Sequence, residues 1–173
     1  MAAICYPAAE IRGTRISPQR STGAQVMTDE ALRRALFYAL LALRISLGVF
    51  LLQWGVEKFV APTNTVAIWS YFYGLNVSAT LGYLFGAAEI AIAFCLLLGA
   101  FKTIAYGAAL LLHLASVVVS WRQLLDPWGE PTNHLFIASL PVLGALGALF
   151  LLRHWDRGVF DRKKSRPEAA RVG

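Results

Sequence analysis

Three ionisable residues stand where charge is normally avoided. Arg44, Glu89 and His113 each lie inside a long apolar run. A charge at the centre of a membrane helix costs roughly 2.5–3.5 kcal/mol on insertion scales. Arginine cannot escape that cost by losing its proton, so Arg44 demands a counter-ion, and a carboxylate such as Glu89 can accept both arms of a guanidinium. Depth follows from the helical rise of about 1.5 Å per residue. With Arg34 as the inner end of the first run and Lys102 as the inner end of the second and third, Arg44 lies about 15 Å in, Glu89 about 20 Å and His113 about 16 Å. The expectation is one buried polar layer near the midplane, with Arg44 and Glu89 paired and His113 beside them. A plainer reading of the same residues stays open: the pair fixes only which helices pack, and His113 is a hydrogen-bonded core histidine. A bis-histidine haem is not expected, because His134 and His154 fall at opposite ends of the last run.

A second polar and aromatic group gathers toward the outer face. Gln53, Glu57 and Lys58 end the first run, Trp121 ends the third, His134 starts the fourth, and Trp69 and Trp128 lie in the loops between. Such a mouth can bind a flat amphipathic ring such as a quinone head. Tryptophan at a membrane interface also needs no ligand, and Glu57 and Lys58 can snorkel outward. Cys5 and Cys95 form no C-x-x-C pair, so neither a disulfide relay nor a metal site is expected.

The elements that hold these residues are read from hydropathy. Of 173 residues, 57% are hydrophobic and 15% charged, against about a quarter charged in a soluble domain, and the mean hydropathy is +0.56. The apolar excess gathers in blocks near the roughly 20 residues that cross a hydrocarbon core. Nearly every face of each block is apolar, which argues against a soluble bundle. The predicted fold is all-α, a four-transmembrane-helix bundle with spans at about 34–59, 79–100, 103–121 and 134–152. The membrane domain is placed at 28–157. Residues 1–27 read as a disordered tail, either an organelle transit segment or a stretch upstream of a start at Met27, with Thr28 or Asp29 as N-cap. Residues 158–173 read as a basic tail, and the segment from Arg153 onward as soluble and frayed.

On the first helix, Arg44, Gly48, Leu51, Gly55 and Lys58 follow one another at steps of four, three, four and three, which sets all five on one stripe. Gly48 and Gly55 let another backbone approach, and Gly82, Gly86, Gly144 and Gly147 offer similar surfaces on the second and fourth spans. If the bundle is one half of a larger assembly, such as a homo-oligomer, Gly82, Gly86, Gly144 and Gly147 are its contact points. Pro141 should bend span four. The net charge of +6 is no nucleic-acid signal: the basic residues cluster at helix ends and in the tails, where they meet anionic lipid and set both termini in the cytoplasm.

The pattern R-x3-G-x6-G-x2-K, met by Arg44, Gly48, Gly55 and Lys58, together with Glu89 and Gly99 on the second span and a short basic turn after it, resembles the DoxX family of small membrane proteins over roughly Ala31–Arg157. The resemblance implies a four-helix bundle in the bacterial inner membrane. Some relatives are subunits of quinone-linked sulfur oxidation and others associate with redox-stress enzymes. It carries over Arg44, Gly48, Gly55, Lys58 and Glu89 but no catalytic residue. No cofactor is expected covalently or by motif, so a role in electron transfer would mean holding quinone or a redox-enzyme partner. Two functions therefore stand: a subunit or accessory of a quinone-linked redox system with Arg44, Glu89 and His113 as its polar site, or a non-enzymatic scaffold or small solute-handling protein in which the ion pair is structural.

Overall fold

Apolar runs uninterrupted by proline become helices, and the breakers between them set the ends. The computed structural model describes residues 23–129 and 134–158. The expectations for residues 1–22 and for the basic tail from 159 onward lie outside the described residues. Helix α1 spans Gly23–Val60 and stops before Pro62, which opens the short α2, Pro62–Ile68. A π-helical turn, Trp69–Tyr73, follows and closes on Gly74 in the left-handed region. Helix α3, Ala79–Leu98, starts where the Ser78 hydroxyl accepts from the Leu81 amide, and ends on left-handed Gly99. Helix α4 is Lys102–Val119, α5 is Trp121–Leu125, and α6 is Ser139–Leu151, preceded by a 3-10 turn at His134–Ala138. The described residues are helical without a strand, and four helices are long and apolar enough to cross a membrane: Thr28–Val60, Ala79–Leu98, Lys102–Val119 and His134–Leu151.

The four long helices pack in a ring, α1 on α3, α3 on α4, α4 on α6 and α6 back on α1, with α2 laid against α3 and α1. Leu40, Leu47 and Leu51 of α1 meet Ala93 and Leu96 of α3, Ala105, Tyr106 and Ala109 of α4, and Leu146 and Leu149 of α6 in one core. The α1–α3 seam is built on glycine. A Cβ on Gly86 would lie 2.9 Å from the Gly55 carbonyl, and one on Gly48 would lie 2.8 Å from the Leu97 side chain. Gly82 is covered by Thr65 of α2, 3.3 Å from where its Cβ would be.

Three expectations are corrected. Gly144 and Gly147 do not mediate packing within the chain, since nothing lies within 4 Å of a Cβ built on either; the core is reached by Leu146 and Leu149 instead. Gly82 and Gly86 are buried inside the chain and are not available as contacts for a second copy. Thr28 and Asp29 do not cap a helix, because α1 begins at Gly23 and runs through both. Pro141 sits in the first turn of α6, where a proline costs no hydrogen bond. The change from 3-10 to α geometry within span four falls just before it, between Ala138 and Ser139.

The register of α1 matters most for the site. Gly99, at the end of α3, lies against the Arg44 guanidinium. Arg34 is ten residues earlier on α1, so at Arg34 the helix is already about 15 Å beyond that level. Arg34 therefore does not mark the level at which α3 and α4 end, and Arg44 lies at that level rather than at mid-depth.

Candidate functional site

The buried charges form two separate groups. The first closes the end of the bundle that carries the α3–α4 turn. Arg44 is only 4% exposed, as is Asp156 in the segment after α6. The Arg44 Nη1 lies 3.3 Å from Asp156 Oδ2 and 3.4 Å from Oδ1, and also donates to the Arg157 carbonyl at 3.2 Å. The Tyr106 hydroxyl donates to Asp156 Oδ2 at 2.5 Å, and Lys102 Nζ donates to the Asp156 carbonyl at 2.6 Å. This network ties α1, α4 and the C-terminal segment together over the turn. The Arg44 Nε is buried without a hydrogen-bond partner among the described residues.

The second group lies in the middle of the bundle. Lys58 Nζ lies 2.7 Å from Glu89 Oε2 and donates to the Trp54 carbonyl at 3.3 Å. Side chains on a helix lean toward its N-terminus. The Lys58 ammonium therefore reaches one turn back along α1, to the level where antiparallel α3 presents Glu89. Glu89 follows the first residue of α3, Ala79, by ten positions and precedes the last, Leu98, by nine, about 14–15 Å from either end. The side chains of Lys58 and Glu89 are 10% and 14% exposed. Glu89 also lines a groove of about 350 Å³ between α3 and α4, walled by Phe85, Ala88, Ile92, Ala108, Leu111, Leu112 and Ala115. Every other lining residue is apolar, so Glu89 is the one ionisable residue along the groove.

His113 joins neither group. Its Nε2 donates to the Ser139 carbonyl at 2.9 Å, and its ring meets Phe50 edge to face at 5.6 Å. It ties α4 to α6 and α1, while its neighbour Leu112 borders the groove. The expected pairing of Arg44 with Glu89 is thus corrected: Asp156 is the partner of Arg44, and Lys58 that of Glu89. The single layer of Arg44, Glu89 and His113 resolves into an end cluster, a central pair and a histidine bonded to α6.

The outer group also divides. Lys58 turns inward to Glu89. Trp69 packs edge-on against Phe85 at 4.7 Å and beside Tyr73 at 5.8 Å. Trp121 lies under the Arg122 guanidinium at 5.4 Å. Trp128 and His134 approach each other at 6.5 Å, the one ring contact within the set among the described residues. Gln53 is exposed and Glu57 half-buried, and neither joins a shared site with the rings.

Sequence reasoning missed Asp156 and Tyr106. Asp156 stands between Trp155 and Arg157 in a stretch read as frayed tail, and the signal was there: an acid set among basic residues directly after the last span. Tyr106 lies one turn into α4 and is fully buried, a hydroxyl that must find a partner.

Residues 39–121 match the family model described as DoxX. The match includes Arg44, Lys58, Glu89, Tyr106 and His113, and ends before α6 and Asp156. No curated protein and no solved structure matches the chain.

Proposed function

We propose that this membrane protein of the DoxX type serves a quinone-linked redox system of a bacterial inner membrane, as subunit or accessory, and that Lys58 and Glu89 face the quinone head. The observation that carries this reading is the placement of a lysine–glutamate pair at mid-depth beside an open apolar groove. A quinone travels in the hydrocarbon layer, and a groove reached from lipid suits its flat ring and tail. An ammonium can donate to a quinone carbonyl, and a carboxylate can accept from a hydroquinone hydroxyl or take its proton. The chain's part would be to bind, orient and exchange protons; electrons would come from a partner enzyme that docks to the bundle. The basic residues support a cytoplasmic placement of the end with the α3–α4 turn: Arg33, Arg34, Lys102, Arg153 and Arg157 lie there, while Lys58 is taken up by Glu89.

The second reading, a scaffold or small solute-handling protein with structural ion pairs, is favoured at Arg44, whose guanidinium is engaged by Asp156 and the Arg157 carbonyl inside the chain. One experiment separates the two. The protein is purified in gentle detergent with whatever accompanies it, and quinone is extracted and measured per mole of protein. It is compared with a Lys58→Met, Glu89→Leu double variant, which removes both charges without leaving either buried alone. The quinone reading expects a variant of normal abundance and melting temperature that has lost its quinone. Unchanged quinone recovery, or no quinone in the unaltered protein, rejects it.

A further inference from the structure

We infer that the end of the bundle carrying the α3–α4 turn holds the headgroup phosphate of an anionic phospholipid. The site is a pocket of about 750 Å³ lined by residues 99–104 and by Arg153, His154, Asp156 and Arg157. It lies about 15 Å along α3 from Glu89 and does not depend on the quinone reading.

Charge sets the class of ligand. Lys102, Arg153 and Arg157 supply three cations to the lining, and Asp156 is its only carboxylate. That carboxylate is buried and engaged from within by Arg44 and Tyr106, so it does not neutralise the pocket. The Arg153 Nη1 donates to the Phe150 carbonyl, while its Nε is buried with no hydrogen-bond partner among the described residues. Helix α4 begins at the pocket without a side-chain cap, which adds the positive end of its dipole. The chain beyond Gly158 carries five lysines and arginines against two acids, so its net charge is that of the pocket and not its complement. A phosphate is the anion that several guanidinium groups and an ammonium bind best.

The rim selects a lipid over a free ion. Of the lining residues, Phe101 is 76% exposed and Ile104 74%. Phe101 also holds a left-handed backbone, φ 45°, a conformation that L-residues rarely adopt. An inorganic ion makes no use of such a rim. Acyl chains do, and the rim stands where α4 enters the apolar layer, at headgroup level.

The test uses the full chain in a neutral detergent, followed by native mass spectrometry and thermal unfolding. Ligands are phosphatidylglycerol, phosphatidylcholine with the same acyl chains, and inorganic phosphate. Phosphatidylglycerol should be retained over phosphatidylcholine by about tenfold or more, and Arg153→Gln with Arg157→Gln should abolish that preference. Arg33→Gln with Arg34→Gln removes the same charge from the overhang of α1 and should leave the preference intact. If the Arg153 change prevents folding, His154→Gln with Arg157→Gln, both at exposed positions, should weaken the preference in its place. Equal loss in the Arg33/Arg34 variant would mean diffuse charge and overturn the site, as would full retention in the pocket variants. Stabilisation by inorganic phosphate equal to that by phosphatidylglycerol would assign the pocket to a free ion and overturn the lipid.

Discussion

The Arg44 guanidinium and the Asp156 carboxylate are both almost wholly removed from solvent, and neither can be altered alone without stranding the other. Breaking a buried pair from one side costs about 3–5 kcal/mol, whereas replacing both members with apolar residues of similar volume is often neutral. Asp156→Ala should therefore lower the unfolding free energy in detergent by about 3–5 kcal/mol, and Arg44→Met with Asp156→Leu should restore most of it. Tyr106→Phe, which removes the hydroxyl that donates to Asp156, should cost about 1–3 kcal/mol. If Asp156→Ala melts like the unaltered protein, the pair does not close the bundle. The need for a counter-ion was legible in the sequence, since a permanent cation inside an apolar run admits no other resolution. Its identity was not. Glu89 was the expected partner and Asp156 was passed over in a stretch read as frayed tail, and the choice depends on which level of the neighbouring helices Arg44 reaches.

Among the helices, α1 and α3 are held closest, and glycine is what permits it. At Gly86 an added methyl would meet the Gly55 carbonyl and the Lys58 Cβ, each 2.9 Å away. Backbone cannot yield as a side-chain tip can, so Gly86→Val should force the two helices apart at a cost of about 1–3 kcal/mol. The shift would also move Lys58 from Glu89. Gly144→Ala, with open space around it, should be neutral or stabilise by about 0.5–1 kcal/mol through helix propensity alone. Melting temperatures of the two variants test this, and equal destabilisation would show that α6 is packed where the structure leaves it open. The α1 stripe was readable because Gly48, Gly55, Arg44 and Lys58 share one periodic face, and a lipid-facing surface gains nothing from that combination. Gly144 and Gly147 of α6, three residues apart, also share a face but have no charged companions. Spacing alone does not say whether a small-residue face meets protein or lipid.

Depth across the whole bundle is where the sequence reading went astray. Arg34 was a poor ruler because α1 overhangs its neighbours. Pro62 was the better one: it fixes the end of α1 at Val60, and Arg44, sixteen residues before it, then falls about 24 Å away, near the far boundary of a hydrocarbon core about 30 Å thick. The four spans and their short α3–α4 turn were legible because hydropathy and length report them directly, whereas relative register is written only in close approaches such as that of Gly99 to Arg44. The resulting architecture separates its two buried ion pairs by about 15 Å along α3, with different partners at each. Perturbations more than about 7–10 Å apart that share no partner add to within roughly 0.3–0.5 kcal/mol. Asp156→Ala and Glu89→Gln should therefore sum in the double variant, with no interaction energy between them. A single midplane cluster would instead give a double variant no worse than the more damaging single one, because the second change would act on a network already broken. Unfolding of all four proteins in the same detergent decides between the two. Strong coupling would mean that the end cluster and the central pair communicate through α1, the helix that contributes a cation to each.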